Sequence, residues 1–183
     1  MNASEQPTET FSIVVYSENK AGVLHRVTTS FTRRKINIES LTVSESEIAG
    51  IHRYTIVVEL TEDMANKVVA AIEKQIDVQK AFWYRESEII YREIAMYKMR
   101  AELLSEGSPA LDIVDQNNAR IVSAEKEFAI VQKTGRREAT QKLFEELKPF
   151  GILEFVRSGR IAISKRMKEL KDYLAELDVA SAR

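Results

Sequence analysis

Apolar residues recur along the 183-residue chain at two spacings, and the change from one to the other marks its elements. "FSIVVYS", from Phe11 to Ser17, is rich in β-branched and aromatic residues and reads as a strand. Val23, Leu24, Val27 and Phe31 then return at three- and four-residue steps, which predicts a helix over about Gly22 to Arg34. "KINIESLTV" (Lys35 to Val43) and "IHRYTIVVEL" (Ile51 to Leu60) read as two further strands. The stretch "ESEIAG" between them has hairpin length. Met64, Val68, Ala71, Ile72 and Gln75 mark one face of a second helix, and "IDVQKAFWY" closes the series as a fourth strand. The order βαββαβ predicts a four-stranded antiparallel sheet with two helices on one face, the ferredoxin-like layout.

The second half repeats that order with a dissimilar sequence. "EIAMYKM" (Glu93 to Met99) is a strand, and Ser108 followed by Pro109 has the form of a helix N-cap and first turn. "ARIVS" and "EFAIVQ" read as a strand pair. Ala139, Leu143, Phe144 and Leu147 form a helical stripe stopped by Pro149, and "ILEFVRSGRIAIS" supplies two strands with Ser158 and Gly159 at the turn. Leu170, Tyr173, Leu174 and Leu177 line one face of a last amphipathic helix. The expected class is α+β: two tandem ferredoxin-like domains plus a C-terminal helix. Boundaries are expected at a disordered arm over 1–10, domains over 11–84 and 85–164, and a helical tail over 165–183.

Composition narrows the function by exclusion. Lys plus Arg number 27 against 28 Asp plus Glu, a net charge of −1, which argues against a protein that grips nucleic-acid phosphates. Cysteine is absent, so disulfide frameworks and thiolate metal sites are excluded. The polar start "MNASEQPTET" lacks a signal-peptide core and no apolar run approaches a membrane span, so a cytoplasmic protein is expected. None of the six glycines forms a G-x-G, which removes dinucleotide fingerprints and P-loops. His25 and His52 lie outside any H-E-x-x-H arrangement, so neither catalytic nor metal-binding residues are expected. The basic run Arg33, Arg34, Lys35 complements the negative end of the first helix; a phosphate site is the alternative reading.

One stretch, "ENKAGVLHR" (Glu18 to Arg26), offers chemistry. The first amides of a helix have no intrahelical partner and sit at its positive end, which suits a carboxylate. Gly22 leaves room for close approach, and Asn19 and Asn37 supply amide groups that could face one pocket. The plainer alternative is that Asn19 shapes a turn and Gly22 starts a helix.

These residues carry a resemblance. "ENKAGVLHRVTTSFTRRKINIESLTVSESE", followed by "HRYTIVV", resembles the ACT domain of the small regulatory subunit of acetolactate synthase. The family pattern runs N-x-P-G-V-L-x-R-V, then F-x-R-R-G-Y-N-I-x-S-L-x-V. "KTGRREATQKLFEELKPFGILEFVRSGRIAISK" is similar to that family's C-terminal half. The resemblance implies a non-catalytic subunit that binds the catalytic large subunit, raises its activity and confers feedback inhibition by valine or another branched-chain amino acid. Thiamine diphosphate, FAD and magnesium are then expected on the partner and no cofactor on this chain. The resemblance also implies a homodimer through ACT domains with the effector between two chains. Its residues would be Asn19, Ala21, Gly22, Val23 and Leu24, with Asn37 and Ile38 from the other chain. Ala21 stands where the pattern has Pro, Lys35-Ile36 where it has Gly-Tyr, and Ser123 where it has Asp. A free-standing ACT module that controls another enzyme or a transcription factor is the alternative.

Overall fold

A computed structural model of the chain describes residues 7–167 together with Asp172 and Ala175. The described chain forms two compact units, one of residues through Ile90 joined by those from Ala162 onward, the other Tyr91–Ile161. The expected stripe Leu170, Tyr173, Leu174 and Leu177 lies outside the described residues. Asp172 and Ala175 are helical, whereas Lys165 and Arg166 form a bend.

In the first unit the order is β1 (Glu9–Glu18), α1 (Val23–Thr32), β2 (Ser40–Glu45), β3 (Ile51–Leu60), α2 (Glu62–Glu73) and β4 (Val78–Arg85). The sheet runs β2-β3-β1-β4, antiparallel throughout. Phe11, Ile13 and Val15 of β1 sit opposite Val58, Ile56 and Tyr54 of β3. Both rows are buried against Val23, Val27 and Phe31 of α1 and Ala65, Val68 and Ile72 of α2. Each of the Val, Ile and Phe side chains among them contributes about 1.5–3 kcal/mol by leaving water. Val14 and Val57 are buried as well, so these central strands are covered on both faces. That is why "FSIVVYS" reads as a continuous apolar run and not as an alternation. α2 is capped by Thr61, whose hydroxyl accepts from the Met64 amide at 3.3 Å, with Glu62 and Asp63 in its first turn.

Two elements differ from their expected bounds. β1 begins at Glu9, inside the expected arm, because Glu9 and Thr10 pair with Leu60 and Glu59 at the end of β3. β2 begins at Ser40 and not Lys35, because α1 closes through residues 34–36. The Lys35 amide donates to the Thr32 carbonyl and the Ile36 amide to the Phe31 carbonyl, with Lys35 at φ 56. This is a Schellman closure, completed by Ile36 packing on the core that holds Phe31. Its left-handed position usually takes glycine, and a side chain there costs roughly 1–2 kcal/mol.

From the strand that leads into the second unit to the one that leaves it for the first, the order is β5 (Ile89–Arg100), α3 (Pro109–Gln116), β6 (Arg120–Ala124), β7 (Phe128–Gly135), α4 (Arg137–Leu147), β8 (Ile152–Arg157) and β9 (Ile161–Ser164). The sheet runs β6-β7-β5-β8, again antiparallel, and repeats the strand order of the first. β9 pairs with β5, so Ser158 and Gly159 interrupt an edge instead of turning a hairpin. The Ser158 amide donates to the Ile94 carbonyl at 2.8 Å, and the Ser158 hydroxyl accepts from the Ile94 amide at 2.9 Å. β6 pairs with β7 through a register shift between Ile121 and Ser123 that leaves Val122 as a bulge. α3 begins as the sequence predicts: Ser108 accepts from the Leu111 amide and Pro109 takes the first turn.

This second core contains a polar network. Thr140 Oγ1 donates to Glu93 Oε1 at 2.6 Å, and Tyr97 OH donates to the Thr140 carbonyl at 2.6 Å. Arg157 Nε lies 3.0 Å from the same Glu93 oxygen, at ion-pair distance though out of line for N–H donation. Glu93, Tyr97 and Thr140 are buried. Burial pushes the Tyr97 phenol up to about 12.

Two outcomes follow for stability. Replacing Lys35 with Gly relieves the left-handed strain while loosening the unfolded chain, for a net gain of about 1 kcal/mol. Urea denaturation read at Trp83, the single tryptophan, which stacks edge-on to Phe11 at 5.2 Å, checks it. In the second unit the neutral Tyr97 phenol is favoured by folding, so its contribution is complete below the ordinary value of 10.0 and is lost as pH rises from there towards about 12. Tyr97→Phe costs about 1 kcal/mol at neutral pH and flattens the alkaline dependence that native-state hydrogen exchange in this unit reads.

Candidate functional site

Val23 is both the first residue of α1 and wholly buried, so the chain must turn from β1 into a seated helix within Asn19 to Gly22. Gly22 makes this possible by taking φ 85, where L side chains are strained. Neighbouring loops hold the turn: the Asn19 amide donates to the Gly50 carbonyl and the Glu18 amide to the Asp77 carbonyl, each at 2.9 Å. No side chain caps α1. The Val23 amide makes a long 3.4 Å bond to the Lys20 carbonyl and the Arg26 amide bonds to the Gly22 carbonyl. The Leu24 and His25 amides have no partner among the described residues. Two donors therefore project from the positive end of a helix at an exposed turn.

Charges surround this turn. Arg26 pairs with Asp77, and its Nη1 lies 3.3 Å from where a Cβ on Gly22 would stand. Lys20 pairs with Glu18 and lies 3.6 Å from Asp77. The hydrogen bond from Lys20 to Glu18, aided by both carboxylates, holds its ammonium above the usual lysine range. Two cations and two carboxylates make the site locally neutral and charged in both senses, which suits a zwitterion better than a simple anion. Arg26, Lys20 and Asp77 were not singled out from the sequence. Arg26 is readable in principle, one helical turn after Gly22, but Asp77 is brought in only by the tertiary fold.

Of the residues selected from the sequence, Asn19, Ala21, Gly22 and Leu24 are exposed at the turn, Leu24 at 43%. Val23 belongs to the core and is wholly buried. Asn37 and Ile38 follow α1 and lie at its other end: β2 starts level with Val57 and Ser12, whereas Asn19 follows the end of β1 beside Ile51. A helix of ten residues, about 15 Å long, stands between them. Within one chain the two asparagines therefore do not face one pocket. Asn37 Nδ2 donates to Glu39 at 2.8 Å, and the Ile38 side chain packs against the core. No group of three or more His, Cys, Asp or Glu among the described residues is placed to hold a metal. No described helix is long and apolar enough to cross a membrane.

Comparison with known proteins covers both units. Residues 13–80 match the model of the AHAS small subunit-like ACT domain, and residues 92–166 that of the small subunit of acetolactate synthase. Among individual proteins, the acetolactate synthase small subunit of Mycolicibacterium smegmatis is 34% identical over 87% of this chain and 92% of its own length. That of Bacillus subtilis is 36% identical over 80% of this chain and 86% of its own. The crystal structure of the acetolactate synthase small subunit from Thermotoga maritima superposes with a TM-score of 0.77 at 26% identity, over 87% of this chain and 99% of that one.

Proposed function

The chain belongs to the acetolactate synthase small-subunit family, and we propose that it is the non-catalytic regulatory subunit of that enzyme. In this role it binds the catalytic large subunit, raises its activity and makes it sensitive to valine or another branched-chain amino acid. Thiamine diphosphate, FAD and magnesium belong to the partner, and this chain works without a cofactor in the cytoplasm.

The observation that carries the reading is the left-handed Gly22 turn, which leaves the Leu24 and His25 amides open at the head of α1. They receive the effector's carboxylate, with Arg26 and Lys20 adding positive charge nearby. Asn19 and the backbone from Ala21 to Leu24 belong to one chain, and Asn37 and Ile38 to its dimer mate. The separation of Asn19 and Asn37 by the length of α1 supports a shared site, since a second chain is what can bring such a pair together. The effector then sits between two ACT domains, and its occupancy is read out as a change in how the pair of subunits holds the large subunit.

Adding the full chain to the catalytic subunit, with and without valine, tests this reading. Activity should rise on addition and fall again as valine is titrated in. Gly22→Asp puts a carboxylate where the effector's carboxylate binds, and the valine response should weaken by about a hundredfold or be lost. Unchanged valine potency in that variant would show that the effector binds elsewhere. Sedimentation of the isolated chain with valine present should give a dimer, and a monomer at micromolar concentration would remove the shared site.

A further inference from the structure

A second concavity lies in the first unit, between α1 and the end of α2. Its volume is about 700 Å³, and it is lined by His25, Arg26, Arg33 and Arg34 on one side and Lys74 and Gln75 on the other. No carboxylate lines it, which contrasts with the balanced charges of the Gly22 turn. Arg26 is committed to Asp77, and Arg34 Nη1 donates to the Ser30 carbonyl at 2.8 Å. Arg33 and Lys74 have no acidic partner among the described residues. Helix dipoles account for each cation singly, since Arg33 and Lys74 stand at the C-terminal caps of α1 and α2. They do not account for basic groups of two elements converging on one cleft with no counter-charge, in a chain whose net charge is −1.

Gln75 supplies an independent observation. Its Nε2 donates to Ser30 Oγ at 3.0 Å and to the Arg26 carbonyl at 3.2 Å, which fixes the carboxamide against α1. Its Oε1 is buried with no hydrogen-bond partner among the described residues. A buried acceptor left unmatched is costly, and a bound hydroxyl or N–H removes the cost. The cleft thus offers guanidinium forks and an ammonium for an anionic group, with the Gln75 carboxamide held in its wall. Its volume is within the range of small-molecule sites.

We propose that this cleft is a second ligand site of the subunit, taking a phosphorylated small molecule at the tail of α1 and adjoining the amino-acid site at its head, with which it shares His25 and Arg26. The phosphate oxygens lie between Arg33, Arg34 and Lys74, and the rest of the molecule runs along the cleft past Gln75. The assignment rests on the cleft's own residues and stands apart from the valine reading. Calorimetric titration of the full chain with inorganic pyrophosphate at low ionic strength tests it. Saturable binding is expected, weakened about tenfold or more both by added salt and by the double substitution Arg33→Ala/Lys74→Ala. Asn37→Ala should leave it unchanged. Absence of saturable binding at millimolar pyrophosphate would overturn the proposal, as would equal binding by the double variant, which places the anion elsewhere. Failure to bind pyrophosphate together with lost assembly in the double variant would also overturn it, by marking the cleft as a contact face for an acidic protein surface.

Discussion

The seating of α1 on the first sheet constrains much of what surrounds it. Val23, Val27 and Phe31 are all fully buried, so the helix has to start in register with the core and end over it. At its head this requires the left-handed Gly22, because no longer connection is available between Glu18 and Val23. At its tail it requires the Schellman closure, with Lys35 forced into the same unusual region of backbone space. The exposed amides at one end follow from anchoring this apolar stripe, and the closure at the other sets Arg33 and Arg34 at the cleft that Lys74 of α2 completes. The backbone donors and cations of this unit that lack partners among the described residues thus gather at helix termini.

The same anchoring explains what could be read from the sequence. β3, α3 and the Ser108–Pro109 start of α3 are written in local signals, and the family pattern identified both halves together. Lys35 to Glu39 read as strand because "KINI" alternates, yet its isoleucines pack against the core from an irregular segment. β5 extends four residues before its expected start. Its polar Arg92 and Glu93 alternate between exposed and buried faces, and the buried glutamate looks like a strand boundary until its partners are known. At the candidate site the turn was legible, but not the separation of Asn19 from Asn37, which depends on strand register. The ion pair of Arg26 with Asp77 was equally hidden, because it joins residues 51 apart.

The two units share a strand order and reach stability by different means. The first is packed almost wholly by aliphatic and aromatic side chains, with its charges at the periphery. The second places Glu93, Tyr97, Thr140 and Arg157 in one connected network beneath α4. Such a network ties α4 to the sheet in one register, since every shifted arrangement leaves a buried polar group without its partner. The first core can absorb small changes of shape by repacking, whereas the second resists them in steps.

The bulge at Val122 has a colloidal consequence. β6 is the outermost strand of its sheet, and it exposes Ile121 and Val122 at 38% and 47%. An even ladder of free backbone groups with that apolar surface would invite strands from other molecules to add on. The bulge breaks the spacing of those groups and increases the local twist, so an incoming straight strand meets only a few of them in phase. The bulge therefore blunts the outermost strand as a template on which further strands could add.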